Sequence, residues 1–431
     1  MKHFSSSAAG SAVTFADGCL FLNGGPAFLL SGELHYFRQS RENWQHLIDE
    51  AKAMGLNCVA SYVPWLLHEE KEGEYDFSGN LDLGAFIDLC GQNGLYVFIR
   101  PGPFIMAEMK NEGLPYWIAE KHPDALPVGF GGARPATSTL DYLHPGYLAD
   151  CKKWYNRVMR EIAPRLYPNG GPIIGVQLDN EVGMLSWVTN TPLLNENALL
   201  RFGTWLKEQY PQETLAARYP FSPDDKEALV KGCRFPEDPY SPAFHRDFGR
   251  FMRGYYAEYL RILRGYAEEE GIQDVPFFVN VHGTGDTRLF DYPLGLSQLY
   301  EGWNGGDMIS GGDLYLGEPR EGNYQDLYLG NALTACMNKN GSPLTTIEFE
   351  CSDGPYCSLN DMRFHPAAIP HNTLMTVMQG AKMANYYVFS GGENTLLRRP
   401  PHDGDDRMAF TSAMAIMPLL ALTAAITTLS R

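Results

Sequence analysis

The sequence has no run of basic residues longer than a pair such as Arg398 and Arg399, and 51 acidic residues outnumber 34 lysines and arginines. The resulting formal net charge of -17 repels the phosphate backbone of nucleic acids, which proteins bind through clustered Lys and Arg. We therefore expect no nucleic-acid partner.

Signatures of metal and nucleotide binding are also missing. The 11 histidines form no H-E-x-x-H or similar ligand spacing. No G-x-G-x-x-G follows the first predicted strand, and there is no G-x-x-x-x-G-K-[ST]. We expect neither a metal ion nor a cofactor.

The eight cysteines include no C-x-x-C pair, and several lie within predicted strands or helices. We expect them to be buried free thiols, which is typical of a reducing compartment. Residues 1–12, predicted to be disordered, include no apolar stretch like the core of a secretory signal. These features together predict a cytoplasmic protein.

Short apolar segments alternate with amphipathic segments along most of the chain, after a predicted β-hairpin within residues 13–28. This alternation predicts parallel βα units, and eight of them make a (β/α)8 barrel over residues 13–394. A doubly wound open sheet is the alternative architecture. The predicted strands lie at 27–36, 56–63, 95–99, 172–176 and 275–281, in a short sixth segment that begins at 308, and at 344–350 and 385–389.

Two segments depart from this alternation. Residues 212–242, rich in Pro, Asp, Glu and Lys, read as an inserted excursion. Residues 395–431 form an atypical loop and an uncharged, apolar segment over 408–429. That segment is long enough for a membrane span, but its hydroxyl residues and Pro418 favour a last barrel helix. We hypothesise that this tail is a truncated or altered continuation of the barrel.

Carboxylates end two of the predicted strands. The apolar strand after Gly171 leads into Asp179-Asn180-Glu181, and residues 344–350 contain Glu348 and Glu350. In a barrel the fourth and seventh strands direct their ends across the same mouth, where one carboxyl can act as acid and another as nucleophile. The alternative for Asp179-Asn180-Glu181 is a solvated strand end without a catalytic role. The alternative for Glu348 is a strand-end carboxylate in an ion pair. Because Glu348 and Glu350 share a face in a regular strand, periodicity does not choose between them.

Several ordered segments resemble glycoside hydrolase family 35, the retaining β-galactosidases. They are S-G-E-L-H-Y-F-R at 31–38, V-P-W-L-L-H-E at 63–69, Y-D-F-S-G-N at 75–80, R-P-G-P-F-I-M-A-E at 100–108, G-L-P-Y-W at 113–117 and Q-L-D-N-E-V-G at 177–183. The resemblance implies Glu181 as acid/base and Glu348, rather than Glu350, as nucleophile. It also implies that galactose hydroxyls are bound by Tyr36, Ala107, Glu108 and Asn180.

The chain departs from the family in three places. E-C-S-D-G-P at 350–355 replaces an aromatic and a Gly-Trp, Glu393 replaces a Thr, and residues 395–407 contain no match to the family's sugar-binding tyrosine. We also expect the accessory β-sandwich domains of the family to be absent from these 431 residues.

The resemblance implies a retaining exo-hydrolase acting on β-galactoside oligosaccharides or glycoconjugates. The alternatives are an exo-hydrolase for another β-sugar, such as a β-glucosaminide, and a sugar-binding relative with little activity. The sequence leaves the linkage preference and the oligomeric state open.

Overall fold

The fold is built around a closed barrel of eight parallel strands. The computed structural model describes residues 12–134, 140–188, 191–282, 308–338, 341–350, 365, 367–394, 397 and 409–410. The barrel confirms the predicted (β/α)8 architecture. Its strands are β4 (Leu29–Leu34), β5 (Cys58–Tyr62), β6 (Tyr96–Arg100), β7 (Ile173–Gln177), β8 (Phe277–His282), β9 (Met308–Leu314), β10 (Thr345–Phe349) and β11 (Met383–Ser390).

Helices surround the barrel and pack their apolar faces on the outside of the strands. Their starts follow from local sequence: the Asp82 carboxylate accepts a hydrogen bond from the Ala85 amide over 2.9 Å, and Pro145 occupies the first turn of the longer helix that it begins. The helices are Trp44–Ala53, Trp65–His68, Leu83–Gln92, Tyr116–Lys121, Pro145–Ile162, Met184–Val188, Glu196–Gln209, Gln212–Arg218, Lys226–Arg234, Ser241–Glu269, Tyr324–Met337 and Ala368–Met378.

Two segments outside the barrel differ from the sequence-based expectation. The predicted N-terminal hairpin is an antiparallel three-stranded sheet of β1 (Val13–Ala16), β2 (Cys19–Leu22) and β3 (Gly25–Ala27). The excursion at 212–242 contains two short helices, and the side chain of Asp225 caps the second by accepting from the Ala228 amide over 3.0 Å.

The sixth barrel strand, β9, has seven residues and is not short. Its Gly311-Gly312-Asp313 sequence has low strand propensity, which hides its length. Gly311 is required by packing, since a Cβ there would lie 2.1 Å from Cγ1 of Ile347 on β10.

The cysteines and the terminal segments agree only in part with expectation. Cys58, Cys90, Cys151 and Cys233 are buried free thiols, whereas Cys19 is half-buried and Cys336 exposed.

The described part of the chain contains no helix long and apolar enough to cross a membrane. Ala409–Phe410 pairs with Gly392–Glu393 as a two-stranded sheet. Cys351, Cys357, residues 1–11 and most of the predicted C-terminal helix lie outside the described residues.

Candidate active site

Each barrel strand contributes one buried polar side chain to a single hydrogen-bonded network. The bonds that join its members measure 2.6–3.0 Å, apart from a shorter contact between Arg100 and Glu348. A buried polar group without a hydrogen-bond partner lowers the stability of the fold. The side chains are therefore held in the orientations that allow these bonds. We call this set the barrel network. In strand order its members are Glu33, Tyr62, Arg100, Gln177, Asn280, Asp313, Glu348 and Asn385.

Three donors surround the carboxylate of Glu348, a residue that is 6% exposed. The hydroxyls of Tyr62 and Tyr315 donate to Oε1 and Oε2 over 2.6 Å each, and the Arg100 guanidinium also donates to Oε1. Burial raises the pKa of Glu348, while these three donors oppose the rise because they stabilise the charged form. The arrangement is suited to a carboxylate that remains ionised and attacks an electrophilic carbon.

Glu181 follows β7 in a tightly fixed turn. Asp179 and Glu181 have φ values of 55° and 42°, in a region that residues other than glycine rarely adopt. The turn is held because the Asp179 amide donates to the Gly102 carbonyl over 3.0 Å and the Glu181 amide donates to Oδ1 of Asn280 over 2.9 Å. Glu181 as a whole is 7% exposed.

The structure brings Glu181 and Glu348 into one electrostatic environment. The charge of Glu181 is one of the causes that raise the pKa of Glu348, acting in the same direction as burial. Glycosidic cleavage with retention uses two carboxyls that share one site.

Glu350 is separated from Glu348 by a break in the strand. Its φ of 45° ends the regular alternation of β10, so the expectation that the two side chains share a face is wrong. The Glu350 carboxylate instead accepts hydrogen bonds from the amides of Leu316 and Gly317, over 3.0 and 2.9 Å, and from Nδ2 of Asn372 over 3.0 Å. Its contacts are those of a loop-stabilising residue.

Asn180 presents a side-chain amide beside the acid/base candidate. Its Oδ1 accepts from Nδ2 of Asn280 over 2.7 Å and from Arg100 over 3.3 Å, and contacts the Tyr62 hydroxyl. These donors fix Oδ1 on the network side. None of the described residues accepts a hydrogen bond from Nδ2 of Asn180.

Ala107 and Glu108 lie in the loop after β6, where their φ values are 49° and 51°. The Arg38 guanidinium donates to the Ala107 carbonyl and, through Nε, to Oδ1 of Asn394 over 2.9 Å. Nδ2 of Asn394 donates to the Glu108 carbonyl over 2.9 Å. We call Arg38 and Asn394 the loop clamp, since together they hold two successive peptide groups of strained backbone.

The Glu108 carboxylate accepts a hydrogen bond from the Tyr387 hydroxyl over 2.6 Å. Burial raises the pKa of Glu108 to about 7, against the opposing effects of this bond and of the Arg38 charge. The charge of Glu348 also raises that pKa, which indicates that Glu108 lies near the proposed nucleophile.

Tyr36 has a different environment from the other predicted site residues. It is fully buried, its ring stacks on Phe86 at 5.3 Å, and its hydroxyl contacts Nε2 of His68 over 2.6 Å. This is the packing of a core tyrosine, and its contribution to sugar binding stays a prediction.

Sequence reasoning assigned no role to several site residues: Tyr62, Arg100, Asn280, Asp313, Tyr315 and Tyr387. The signal that could have found them is their position near the ends of the predicted strands. Six members of the barrel network are the last or next-to-last residue of their strand, where parallel strands converge on the open face. Polar residues at predicted strand ends could therefore have been collected as one site.

Metal binding finds no support in the described ranges, which contain no group of three or more His, Cys, Asp or Glu able to hold an ion.

Comparisons with known proteins identify the family that the chain resembles and its fold. Residues 19–215 match the family model described as Glycosyl hydrolases family 35, which confirms the resemblance to that family. A β-galactosidase structure from the psychrophilic Marinomonas ef1 superposes with a TM-score of 0.70 at 16% identity, covering 93% of this chain and 60% of that one. At this identity the superposition supports the barrel fold alone.

Curated relatives carry different activity names. A β-1,2-glucosyltransferase of Ignavibacterium album is 30% identical over 86% of this chain. An exo-β-D-glucosaminidase of Pyrococcus horikoshii is 39% identical over 44%, and a β-galactosidase of Mus musculus 41% identical over 38%. The chain spans 52%, 26% and 23% of these three relatives, about half the length of the first.

Proposed function

We propose that this relative of glycoside hydrolase family 35 is a retaining exo-hydrolase that removes terminal β-D-galactose from β-galactosides. The observation that supports the proposal most directly is the pairing of Glu181 with Glu348, in which three donors hold the Glu348 carboxylate. Retention requires two such carboxyls on opposite sides of the scissile bond.

In the first step the Glu348 carboxylate attacks the anomeric carbon while Glu181 gives its proton to the departing glycosidic oxygen. The carbon–oxygen bond to the leaving group breaks, and a galactosyl ester of Glu348 forms. In the second step ionised Glu181 takes a proton from water, and the water oxygen displaces Glu348 from the anomeric carbon. Arg100, Tyr62 and Tyr315 then stabilise the departing carboxylate through the same hydrogen bonds.

The neighbours of this pair favour a neutral sugar. The Nδ2 group of Asn180 is a donor, so it can bind a hydroxyl at C2 but repels an ammonium, which has no acceptor. Such a bond strengthens as the transition state develops. Glu108 supplies an acceptor for further hydroxyls. The Asn180 donor therefore favours a β-galactoside over a β-glucosaminide, whereas the Glu108 carboxylate can accept from either a hydroxyl or an ammonium.

Glycosyl transfer is a second candidate, because the relative matched over 86% of this chain is named a glucosyltransferase. Its first step would be the same. In the second step a sugar hydroxyl would replace water as the group that Glu181 deprotonates.

A panel of 4-nitrophenyl β-glycosides tests the proposal. We expect the galactoside to give the highest kcat/KM among galactoside, glucoside and glucosaminide, and Glu181→Gln and Glu348→Gln to lower kcat by about 10³-fold. Release of free galactose indicates hydrolysis, whereas longer oligosaccharides formed with added sugar indicate transfer. A wild-type rate no greater than that of both variants would refute catalysis by this pair.

A further inference from the structure

A cavity of about 580 Å³ lies outside the barrel, where the helix Glu196–Gln209 ends and the excursion at 212–242 begins. Its lining residues fall between 207 and 224, and none of them belongs to a barrel strand or to the barrel network. The volume is within the range of small-molecule sites. The excursion therefore carries a candidate binding site that the proposed hydrolysis does not use.

Two tyrosines of the cavity wall are fixed by one carboxylate. The hydroxyls of Tyr210 and Tyr219 each donate to Asp247 over 2.8 Å, and the Arg218 guanidinium donates to the same carboxylate over 2.6 Å. Asp247 is fully buried on the helix Ser241–Glu269. Because both rings are held before a ligand arrives, binding to them costs little side-chain entropy.

Phe221 and Leu215 give the cavity an apolar floor. The centroid of the Phe221 ring lies 5.2 Å from that of Tyr219 and 5.6 Å from that of Tyr240. The same ring closes against Gly232, where a Cβ would lie 2.3 Å from Cε1 of Phe221. A rigid floor of aromatic and aliphatic groups suits the C–H face of a sugar ring.

Exposed polar side chains surround this floor. The amide of Gln212 has no hydrogen-bond partner among the described residues, so it offers both a donor and an acceptor. The Ser222 hydroxyl accepts from the Asp224 amide over 3.2 Å and can still donate. Lys207 and Asp224 form an ion pair at 2.6 Å, and no other residue of this lining is charged. The rim therefore offers hydrogen bonds without net charge.

We propose that this cavity is a second sugar-binding site, which takes one neutral hexose unit of a glycan away from the active site. A sugar ring combines an apolar C–H face with a border of hydroxyls, each both donor and acceptor, and so matches the floor and the rim. An apolar ligand would cover the amide of Gln212 without pairing it, and an ionic ligand would meet no opposite net charge. The proposal goes beyond the proposed function, since the cavity needs neither Glu181 nor Glu348.

NMR of the full chain labelled at the leucine methyl groups tests the site, with the Leu215 signals assigned by their loss in Leu215→Ile. The probes are methyl 1-thio-β-D-galactopyranoside and its gluco isomer, whose sulfur linkage resists glycosidases. We expect at least one of them to shift the Leu215 signals to saturation, with a Kd of about 0.1–10 mM. No saturable shift with either sugar up to about 50 mM would overturn the proposal.

Two neighbouring exposed residues supply a variant and its matched control. Gln212→Ala should raise the Kd about fivefold or more, because the sugar loses the hydrogen bonds of the amide. Glu213→Ala should leave the Kd within about twofold of wild type, since Glu213 does not line the cavity. An equal Kd for Gln212→Ala and the wild type would overturn the assignment of the rim.

Charged probes and an activity assay complete the test. Acetate and methylammonium should shift the Leu215 signals less than the sugar does, and tighter binding of either ion would overturn the choice of a neutral ligand. The titration requires no turnover, so the two proposals fail separately. A saturable shift in a protein that cleaves no glycoside would refute the proposed function and support the second site, whereas cleavage without a saturable shift would refute the second site alone.

Discussion

Asp179 is a fully buried carboxyl that shapes the turn before Glu181. Its Oδ1 accepts from the Asn180 amide over 2.8 Å and its Oδ2 from the Tyr259 hydroxyl over 2.6 Å. Burial nevertheless raises the pKa of Asp179 from 3.8 to about 7. Hydrogen bonds to the charged form therefore offset only part of the cost of burying it.

This shift predicts a loss of stability with rising pH. The unfolded state releases the proton near pH 3.8 and the folded state near 7, so the folded state binds more protons in between. The free energy of unfolding then falls as pH rises from about 4 to 7. Asp179→Asn cannot ionise and should lack this contribution, worth up to about 4 kcal/mol.

Urea unfolding of the wild type and of Asp179→Asn between pH 4 and 8 measures the effect. The free energy of unfolding of the wild type should decrease relative to that of the variant across this window. Parallel pH dependences for the two proteins would show that Asp179 is ionised in the folded state throughout.

At the scale of elements, the loop after β6 depends on the loop clamp. Arg38 and Asn394 are far apart in sequence, yet both bind backbone carbonyls of Ala107 and Glu108. Since the φ values of this loop are unfavourable for residues other than glycine, its conformation needs such external bonds. Loss of the clamp should displace Glu108 without altering Glu181 or Glu348.

We therefore expect Arg38→Met to raise KM about tenfold or more and to change kcat less. Asn394→Ala should raise KM in a similar way. In the double variant the change in binding free energy should be smaller than the sum of the two single changes, because both residues hold the same loop. Arg41→Met is a matched control, since Arg41 forms an exposed ion pair with Asp82 at 2.7 Å, of a kind worth little. Steady-state kinetics of the single and double variants measure these KM values. Free-energy changes that add in the double variant would contradict a shared clamp.

Most barrel strands could be predicted because their apolar, β-branched segments end at recognisable turns. The prediction placed β7 at 172–176, one residue from the observed Ile173–Gln177. It misjudged β9, where glycines needed for close packing against Ile347 look like a loop. It also left Glu348 and Glu350 equivalent, because the left-handed φ of Glu350 depends on amides from Leu316 and Gly317, which follow a different strand.

At the scale of the whole molecule, the site is a product of barrel closure. Glu33 on the first barrel strand and Glu348 on the seventh meet through Arg100 on the third, whose guanidinium lies 3.0 Å from Glu33. No local pattern in the sequence brings these three together. The resemblance to family 35 identified the acid/base and nucleophile candidates, but the barrel network became visible only when all eight strands were in place.

The barrel network also explains how a chain of high negative charge can bury several carboxyls at its centre. Arg100 neutralises part of the charge of Glu33 and Glu348, while Asn280 and Asn385 supply neutral donors. A buried arginine with two carboxylate partners is strongly coupled to both, so the proposed catalytic pair and the barrel interior form one electrostatic unit.

The central claim is that Glu348 becomes covalently attached to the sugar, and trapping with a 2-deoxy-2-fluoro-β-galactosyl fluoride tests it most directly. Peptide mass spectrometry should place one fluorogalactosyl group on Glu348 in the wild type and in the control Glu350→Gln, and none in Glu348→Gln. An adduct on Glu350, or turnover of galactosides by a Glu348→Gln variant at the wild-type rate, would contradict the account.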